Sequence, residues 1–315
     1  MNTAIQDQFK SYLESKGYQP ATVQAYSNDL QEFIEWTTQE KLSVQTVQYK
    51  HLLEFIKYVR VKGRSKRNAN KMLRGVDLYY RHLIEEGKDT ENPAHGLRVK
   101  GITRRIPHDL IDMEDLVKMY HTYPSGTLKM QRNKTILSLI VHQALNAEEL
   151  KRLAPDHIKL KEGKMYVPGT QRSNSRTLNL EAHQVIELQE YLQNTRPRLL
   201  EALKKVKRWD VSQPGEHLFF GVEGGSYINQ IIGNVVRKLK AIYPQYAKLT
   251  TNKIRESVIT HWLKTKDVRI AQYMAGHRHA SSTERYQETN LEDLKELLSK
   301  HHPLENEAFI NRPKL

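Results

Sequence analysis

The chain has 315 residues, enough for two domains, and carries 50 Lys and Arg against 36 Asp and Glu, a formal net charge of +14, with no cysteine. The absence of cysteine excludes disulfides, Cys-ligated zinc and thiol catalysis, and the basic excess indicates a polyanionic partner, nucleic acid before an acidic membrane surface. Because the sequence lacks both an apolar run of about 18 residues and a signal peptide, we expect a cytoplasmic protein that does not bind membranes.

Four amphipathic helices are predicted in the N-terminal region, residues 1–95. Pro20 suits the first turn of the second helix, and Ser65 can cap the fourth. Each helix places apolar residues at helical spacing, which predicts that the four helices pack on one another in a helical domain. The apolar stripes are Phe9, Tyr12 and Leu13; Val23, Tyr26, Leu30, Phe33 and Ile34; Leu52, Leu53, Phe55, Ile56 and Val59; and Met72, Leu73, Val76, Tyr79, Leu83 and Ile84.

A basic run from Lys57 to Arg74 contains no acid. It spans a predicted helix end, the turn at Gly63 and the start of the next helix, where backbone N–H groups also point outward. This combination favours contact with nucleic-acid phosphates, while a solvated surface is the alternative. The predicted DNA-binding residues here are Arg60, Lys62, Arg64, Lys66, Arg67, Lys71 and Arg74.

Residues 96–106 predict a basic linker between two domains. The segment has turn-forming residues, little apolar periodicity and no acid. Its cations, which we also predict to bind DNA, are Arg98, Lys100, Arg104 and Arg105. A basic tether of this kind can follow a DNA backbone, although a solvated linker would have the same composition.

The region 107–300 predicts a second domain of mixed α and β structure, followed by a tail, 301–315. Asp112 is placed to cap a helix, and an apolar helix covers residues 135–141. Two extended runs, 165–168 and 177–180, flank a polar segment, which predicts a β-hairpin with a long polar tip. Helices dominate the remainder.

Three residues near the C-terminus have a distinctive spacing. Arg255 lies near a predicted helix start, His277 follows Gly276 after the next helix, and Tyr286 stands nine residues beyond His277. In this order the segment resembles the C-terminal signature of tyrosine recombinases of the phage-integrase and Xer type. The stretch 144–150, Ala-Leu-Asn-Ala-Glu-Glu-Leu, resembles the first conserved box of that family, and the four N-terminal helices resemble its SAM-like core-binding domain.

The resemblance implies a fold and an activity. The fold is mostly α with a small β-sheet: a helical SAM-like core-binding domain and a mixed α/β catalytic domain that form a C-shaped clamp on double-stranded DNA. The activity is site-specific recombination, in which Tyr286 attacks a DNA phosphate and leaves a 3′-phosphotyrosine and a free 5′-hydroxyl. A homodimer on each site, a homotetramer in synapsis, and no metal or other cofactor are implied. Neither the target sequence nor accessory DNA-bending factors can be predicted.

The chemistry of strand exchange requires such residues. A tyrosine hydroxyl that attacks the DNA phosphate forms a covalent protein–DNA intermediate, which conserves the energy of the broken phosphodiester bond for rejoining. Arg255 can donate two parallel hydrogen bonds to the non-bridging phosphate oxygens and never loses its charge. His277 would either donate to the same phosphate or accept the tyrosyl proton.

Three positions depart from the family pattern. Asn146 stands where the first box has an Arg, and Asn252 stands where the second box has a His. Both are predicted catalytic residues, and Asn146 can hydrogen-bond a phosphate but adds no charge. The hairpin tip lacks the family's Lys. Its nearest cations are Arg172 and Arg176. We predict that Arg172 restores the charge missing at Asn146, with Arg152 as the second candidate, and that Arg176 binds DNA.

Other hypotheses remain open at this stage. The missing charge is compatible with a slow or inactive family member that acts as a sequence-specific DNA-binding protein. A nicking-closing enzyme similar to type IB topoisomerases would share the tyrosine chemistry without synapsis. Glu149, which matches the first-box Glu, either supports an active-site Arg or is a surface acid.

Overall fold

A computed structural model of the chain describes residues 2–88, 90–102, 107–204, 216–221 and 228–286. They divide into two compact units, Met1–Arg104 and Arg105–Leu315. The predicted fold class is confirmed, since the described residues are mostly helical and contain one small sheet. The domain boundaries and the clamp around DNA stay predictions, and the predicted tail, 301–315, lies outside the described residues.

Four α-helices build the first unit, as the apolar stripes predict. Pro20 is the first residue of the second helix, and Ser65 caps the fourth, its Oγ accepting the backbone N–H of Asn68 at 3.1 Å. Gly63 adopts a left-handed conformation, with φ of 81°, where the chain turns into the fourth helix. The helices are α1 (Asn2–Ser15), α2 (Pro20–Gln39), α3 (Tyr49–Val61) and α4 (Lys66–Glu85).

Aromatic side chains fill the centre of this unit. Phe33 packs edge-on against Phe55, with ring centroids 5.2 Å apart. Most residues of the predicted stripes are buried with them. Tyr12, Ile56 and Leu83 are half-buried. Leu53 and Ile84 are exposed, with 41% and 45% of their surface accessible, because α3 and α4 each bury a single face.

The second unit is built around one buried helix. Its α-helices include α5 (Met113–His121), α6 (Leu128–Gln143), α7 (Ala147–Arg152), α8 (Ala182–Glu190), α9 (Arg196–Lys204), α10 (Ile228–Ile242), α11 (Thr251–Thr265) and α12 (Val268–Ala275), and residues 281–286 are helical as well. α5, α10 and α11 all pack against α6, which contains the apolar run 135–141. Asp112 precedes α5 as predicted but makes no capping hydrogen bond with its side chain. None of the described helices has the length and apolarity needed to cross a membrane.

A three-stranded antiparallel sheet lies in the same unit, in the order β1 (Ile158–Lys159), β2 (Lys164–Val167) and β3 (Arg176–Asn179). The predicted hairpin is therefore present as β2 and β3. The sequence does not predict β1, because its two residues are too few to show the alternation of apolar and polar residues that indicates a strand. Burial alternates along the strands, so Arg176 lies on the same buried face as Leu178. This strand position, and not a flexible hairpin tip, fixes the direction of the Arg176 side chain.

Candidate active site

Arg255, His277 and Tyr286 come together in the second unit. The rings of His277 and Tyr286 are parallel, with their centroids 5.9 Å apart. Arg255, on α11, donates from Nη2 to the carbonyl of Ala275 at 2.6 Å and from Nη1 to the carbonyl of Ala144. The fold thus joins the end of α6, the end of α12 and the start of α11 around one guanidinium.

Gly276 ends α12 and sets the course of the chain toward His277. Its φ is 68°, a left-handed conformation that side chains disfavour. A Cβ at this position would also collide with the guanidinium of Arg176. Glycine is therefore required both for the turn and for the close approach of Arg176.

His277 is held in place by the segment around it. Its Nδ1 lies 2.8 Å from the hydroxyl of Thr283, and its backbone pairs with Ser173 in the loop between β2 and β3. Burial, together with the positive charges of Arg255, Arg285 and Arg176, lowers the pKa of His277 to about 3. The imidazole is therefore neutral near pH 7.

Acid should destabilise the wild-type protein more than a His277→Asn variant. The unfolded chain takes up a proton at this histidine below about pH 6.5, while the folded site does so only at about pH 3. Between these values the unfolded state binds more protons, so folding stability falls as pH falls. Thermal melts over this window should have a shallower pH dependence in the variant. His142, whose pKa burial lowers to about 4, contributes equally to both proteins. Parallel curves would contradict the neutral, buried state of His277.

Tyr286 is buried, and its hydroxyl is held by the adjacent residue. Only 2% of its surface is exposed, and its Oη accepts a hydrogen bond from Arg285 Nη2 at 2.5 Å. The same guanidinium lies 4.6 Å from the centroid of the tyrosine ring. Arg285 is not among the residues that the sequence predicts for the site. The cue in the sequence is a cation directly before the predicted nucleophile.

Glu149 connects two guanidinium groups in the interior. Its Oε1 accepts from Arg176 Nη1 at 2.7 Å, and its Oε2 lies 3.4 Å from Arg255 Nη1. Burial by itself would raise the pKa of Glu149, but the hydrogen bond from Arg176 and the charges of both arginines outweigh it and lower the pKa. The carboxylate is therefore ionised and fully enclosed, so the surface-acid hypothesis is wrong.

Asn146 is used as a helix cap. Its side-chain oxygen accepts the backbone N–H of Glu149 at 2.9 Å, and the Glu149 carboxylate accepts the backbone N–H of Asn146 at 3.0 Å. This reciprocal pair is a capping box at the start of α7. The predicted contact between Asn146 and a phosphate stays a prediction.

The remaining predicted catalytic positions lie at the surface. Arg172 is exposed in the loop between β2 and β3, next to Ser173. Asn252 is exposed on α11 and lines a cavity of about 610 Å³ with Lys253 and Glu256. Arg152 is exposed and donates to the carbonyl of Gly169 at 3.1 Å. It is Arg176, assigned to DNA binding from the sequence, that the structure places beside Glu149.

The seven predicted DNA-binding residues of the basic run are all exposed, but acids from α2 partly neutralise them. Glu32 lies 3.2 Å from Arg64 and 3.8 Å from Lys62, and Asp29 lies 3.0 Å from Lys71. The cations keep about half of their side-chain surface exposed, although the acids are mostly buried, so the cations stay accessible to a phosphate. The run also borders an open groove of about 710 Å³ lined by basic residues that include Arg67, Lys71, Arg74 and Arg98.

Two other predictions concern the linker and metal binding. Lys100 is exposed, whereas Arg104 and Arg105 lie outside the described residues.

In the part of the chain that is described, the potential metal ligands His142, Glu181 and His183 have ligand atoms within 4.8 Å of one another. They belong to α6 and to the start of α8, so the prediction of a metal-free site around Tyr286 does not involve them.

Two family profiles match the chain. The phage integrase family matches residues 109–293, and the phage integrase N-terminal SAM-like domain matches residues 6–87. These matches cover the second and first units respectively, and the first of them includes every residue of the site around Tyr286.

Known proteins resemble the chain over nearly its whole length. The tyrosine recombinase XerC of Oceanobacillus iheyensis is 27% identical over 303 residues, which cover 95% of this chain and 96% of that protein. The crystal structure of the XerH site-specific recombinase bound to palindromic difH substrate, a post-cleavage complex, has a TM-score of 0.68 at 17% identity, covering 92% of this chain and 84% of that one. A lambda integrase dimer bound to a COC′ core site has a TM-score of 0.60 at 14% identity, covering 90% and 94%. The chain therefore belongs to the phage integrase family and is a tyrosine recombinase.

Proposed function

We propose that this protein cuts and rejoins double-stranded DNA at specific sites, with Tyr286 as the nucleophile. The observation that carries the proposal is the largely buried cluster around Tyr286. The His277 ring lies parallel to the tyrosine ring, Arg285 donates to the tyrosine hydroxyl, and the charge of Arg255 acts on both His277 and Tyr286. A buried tyrosine hydroxyl with a guanidinium on its oxygen is suited to attack an anionic phosphate.

The proposed reaction has two reversible steps. The Oη–phosphorus bond forms as the bond between phosphorus and the 5′ oxygen breaks, which leaves a 3′-phosphotyrosine. The phenolic proton passes to neutral His277, whose pKa rises when the negative phosphate enters beside it. The 5′ oxygen leaves as a hydroxyl after taking a proton from solvent. Attack by the 5′-hydroxyl of a partner strand then reverses the chemistry and releases Tyr286.

Side-chain cations provide the charge stabilisation in this proposal. Arg255 donates to the non-bridging oxygens as negative charge develops on them. Arg172, beside the loop residue that pairs with His277, would stabilise the leaving oxygen electrostatically, because a guanidinium has too high a pKa to act as a proton donor. Asn252 would add a neutral hydrogen bond to the phosphate. No metal ion is needed for any of these steps.

Two copies per site and four in synapsis are the proposed assembly. The palindromic substrate named for XerH and the dimer named for lambda integrase support a two-fold arrangement on DNA. The alternative functions are a binding-only protein and a nicking-closing enzyme, and the retained Tyr286 site does not favour the first of them.

Covalent trapping tests the proposal. The protein is incubated with nicked suicide duplexes that carry the end sequences of any mobile element or replicon in which its gene lies and, in parallel, with a nicked library of randomised core sequence. A protein–DNA adduct that survives denaturation is expected, followed by strand exchange between two duplexes that carry the selected sequence. Absence of any adduct would leave the binding-only function. An adduct without exchange would leave the nicking-closing function.

Replacing Arg64, Lys66 and Arg67 together by Gln should weaken binding to every DNA sequence and flatten its salt dependence. The slope of log K against log salt should fall by about 0.9 for each phosphate that the variant no longer neutralises. Fluorescence anisotropy of a labelled duplex across a salt series measures this slope. Lys10→Gln, on α1, removes one half-buried cation that pairs with Asp7 and serves as the control. An unchanged slope in the triple variant would show that the basic run is only a solvated surface.

A further inference from the structure

Arg176 is a charged side chain enclosed in the active-site region. Its side chain has no exposed surface, its Nε donates to the carbonyl of Met274 at 2.7 Å, and its Nη1 donates to Glu149 at 2.7 Å. The remaining nitrogen, Nη2, is buried and has no hydrogen-bond partner among the described residues. A buried guanidinium is costly unless all its donors are satisfied, so an unpaired Nη2 indicates an acceptor that arrives with the substrate.

Three features of the fold hold the Arg176 side chain in its buried position. Arg176 pairs with Val167 across the β2–β3 ladder, and the alternation of the strand directs its side chain inward. Gly276 leaves the space that the guanidinium occupies. Glu149 balances the charge of Arg176 from the first turn of α7. The guanidinium therefore lies against the turn that carries His277.

The charges around His277 do not cancel. Three guanidinium groups, those of Arg255, Arg285 and Arg176, all act on His277, against the single carboxylate of Glu149. The enclosed region therefore has an excess of positive charge before any substrate binds. Such an excess is expected where a phosphodiester gains negative charge in the transition state.

The other candidates for the charge missing at position 146 lie at the surface. Asn146 itself is neutral and caps α7, while Arg172 and Arg152 are exposed. We infer that Arg176 supplies the second guanidinium of the phosphate clamp from β3, with Nη2 donating to a non-bridging oxygen of the scissile phosphate. This inference rests on the proposed function and replaces the sequence-based choice of Arg172 for this role.

The first test measures single-turnover cleavage of a nicked duplex that wild-type protein cleaves. Arg176→Ala should lower the rate by about 10²–10³ with little change in DNA affinity, and Arg176→Lys should recover part of the deficit. Lys164→Ala, an exposed cation on the neighbouring strand β2, is the matched control and should cleave normally. If the wild type forms no adduct, the proposed function fails; if it does and Arg176→Ala cleaves at the same rate, only the inference about Arg176 fails.

A substrate change separates contact with the phosphate from a structural role. A methylphosphonate at the scissile position removes the negative charge that the clamp would neutralise. The deficit of Arg176→Ala relative to wild type should therefore shrink markedly on this substrate. A deficit of unchanged size would overturn the inference, as would a substrate-dependent deficit found in Arg172→Ala and not in Arg176→Ala.

Folding is controlled by two further variants. Arg176→Ala leaves Glu149 buried without its main partner, which can destabilise the protein. The double variant Glu149→Gln/Arg176→Gln removes both charges, and the inference requires it to fold, by thermal melting, and still to cleave slowly. Asn146→Arg added to Arg176→Ala should restore part of the cleavage rate, because it places a guanidinium at the start of α7, the helix that carries Glu149. A double variant that folds and cleaves at the wild-type rate would refute a role for Arg176 on the phosphate.

Discussion

Tyr286→Phe is expected to abolish the covalent protein–DNA adduct and to leave DNA affinity close to that of the wild type. The substitution removes only the oxygen that would bond to phosphorus. The aromatic ring stays parallel to His277, while the hydrogen bond that Arg285 donates to the hydroxyl disappears. Denaturing gels of suicide-substrate reactions measure the adduct, and anisotropy measures affinity.

Tyr273→Phe is the matched control for this experiment. Tyr273 lies on α12 with 53% of its surface exposed, and its hydroxyl bonds to the backbone of Thr177. Its variant should form the adduct normally, because the hydroxyl is outside the cluster around His277. An adduct that persists in Tyr286→Phe and disappears in Tyr273→Phe would move the nucleophile to Tyr273.

Arg255→Ala is expected to reduce the cleavage rate by about 10²–10³, which corresponds to about 2.7–4 kcal/mol of transition-state stabilisation. Affinity should change much less, because the charge matters most as the transition state forms. Single-turnover rates at saturating protein separate the two effects. If rate and affinity fell in parallel, Arg255 would be a positioning residue and not a catalytic one.

Arg255 also has a structural role that the experiment must separate from catalysis. The guanidinium satisfies the carbonyls of Ala144 and Ala275 and contacts Glu149, so its removal leaves buried acceptors without donors. Arg255→Lys retains a positive charge and one donor group, but it cannot form a bidentate contact with the phosphate. We therefore expect Arg255→Lys to melt closer to the wild type than Arg255→Ala while remaining slow in cleavage. Normal cleavage by Arg255→Lys would show that charge alone is sufficient at this position.

The local pattern of the sequence is sufficient to predict most of the secondary structure. Helical spacing of apolar residues, Pro20 and Ser65 predict α1 to α4, because these signals act within a few residues of one another. The hairpin follows from two extended runs. The same periodicity is wrong for Leu53, which it assigns to the packed stripe. Apolar spacing shows which side of a helix is buried, but how wide that buried side is depends on the neighbouring helices.

Spacing within one short segment also predicts the residues of the candidate nucleophile site. Arg255 lies on α11, His277 follows the end of α12, and Tyr286 lies in the helical segment 281–286. Because these elements are consecutive, residues that are close in the sequence are also close in the fold. Arg285 belongs to the same segment but is missed, since a cation beside a tyrosine has no diagnostic value until the hydrogen bond between them is seen.

Which charges meet depends on the tertiary structure. Glu32 pairs with Arg64, and Glu149 with Arg176, across 32 and 27 residues of sequence. The basic run therefore contains no acid in the sequence, but acids from another helix lie beside it in the fold. Arg176 belongs to the predicted hairpin tip in the sequence, but its side chain is buried in the fold. The strand register buries Arg176, and Gly276 admits it beside His277. The elements, the family and the candidate nucleophile follow from the order of residues along the chain, because their signals are local. The partner of each buried charge follows from packing between distant elements, and local order does not contain that information.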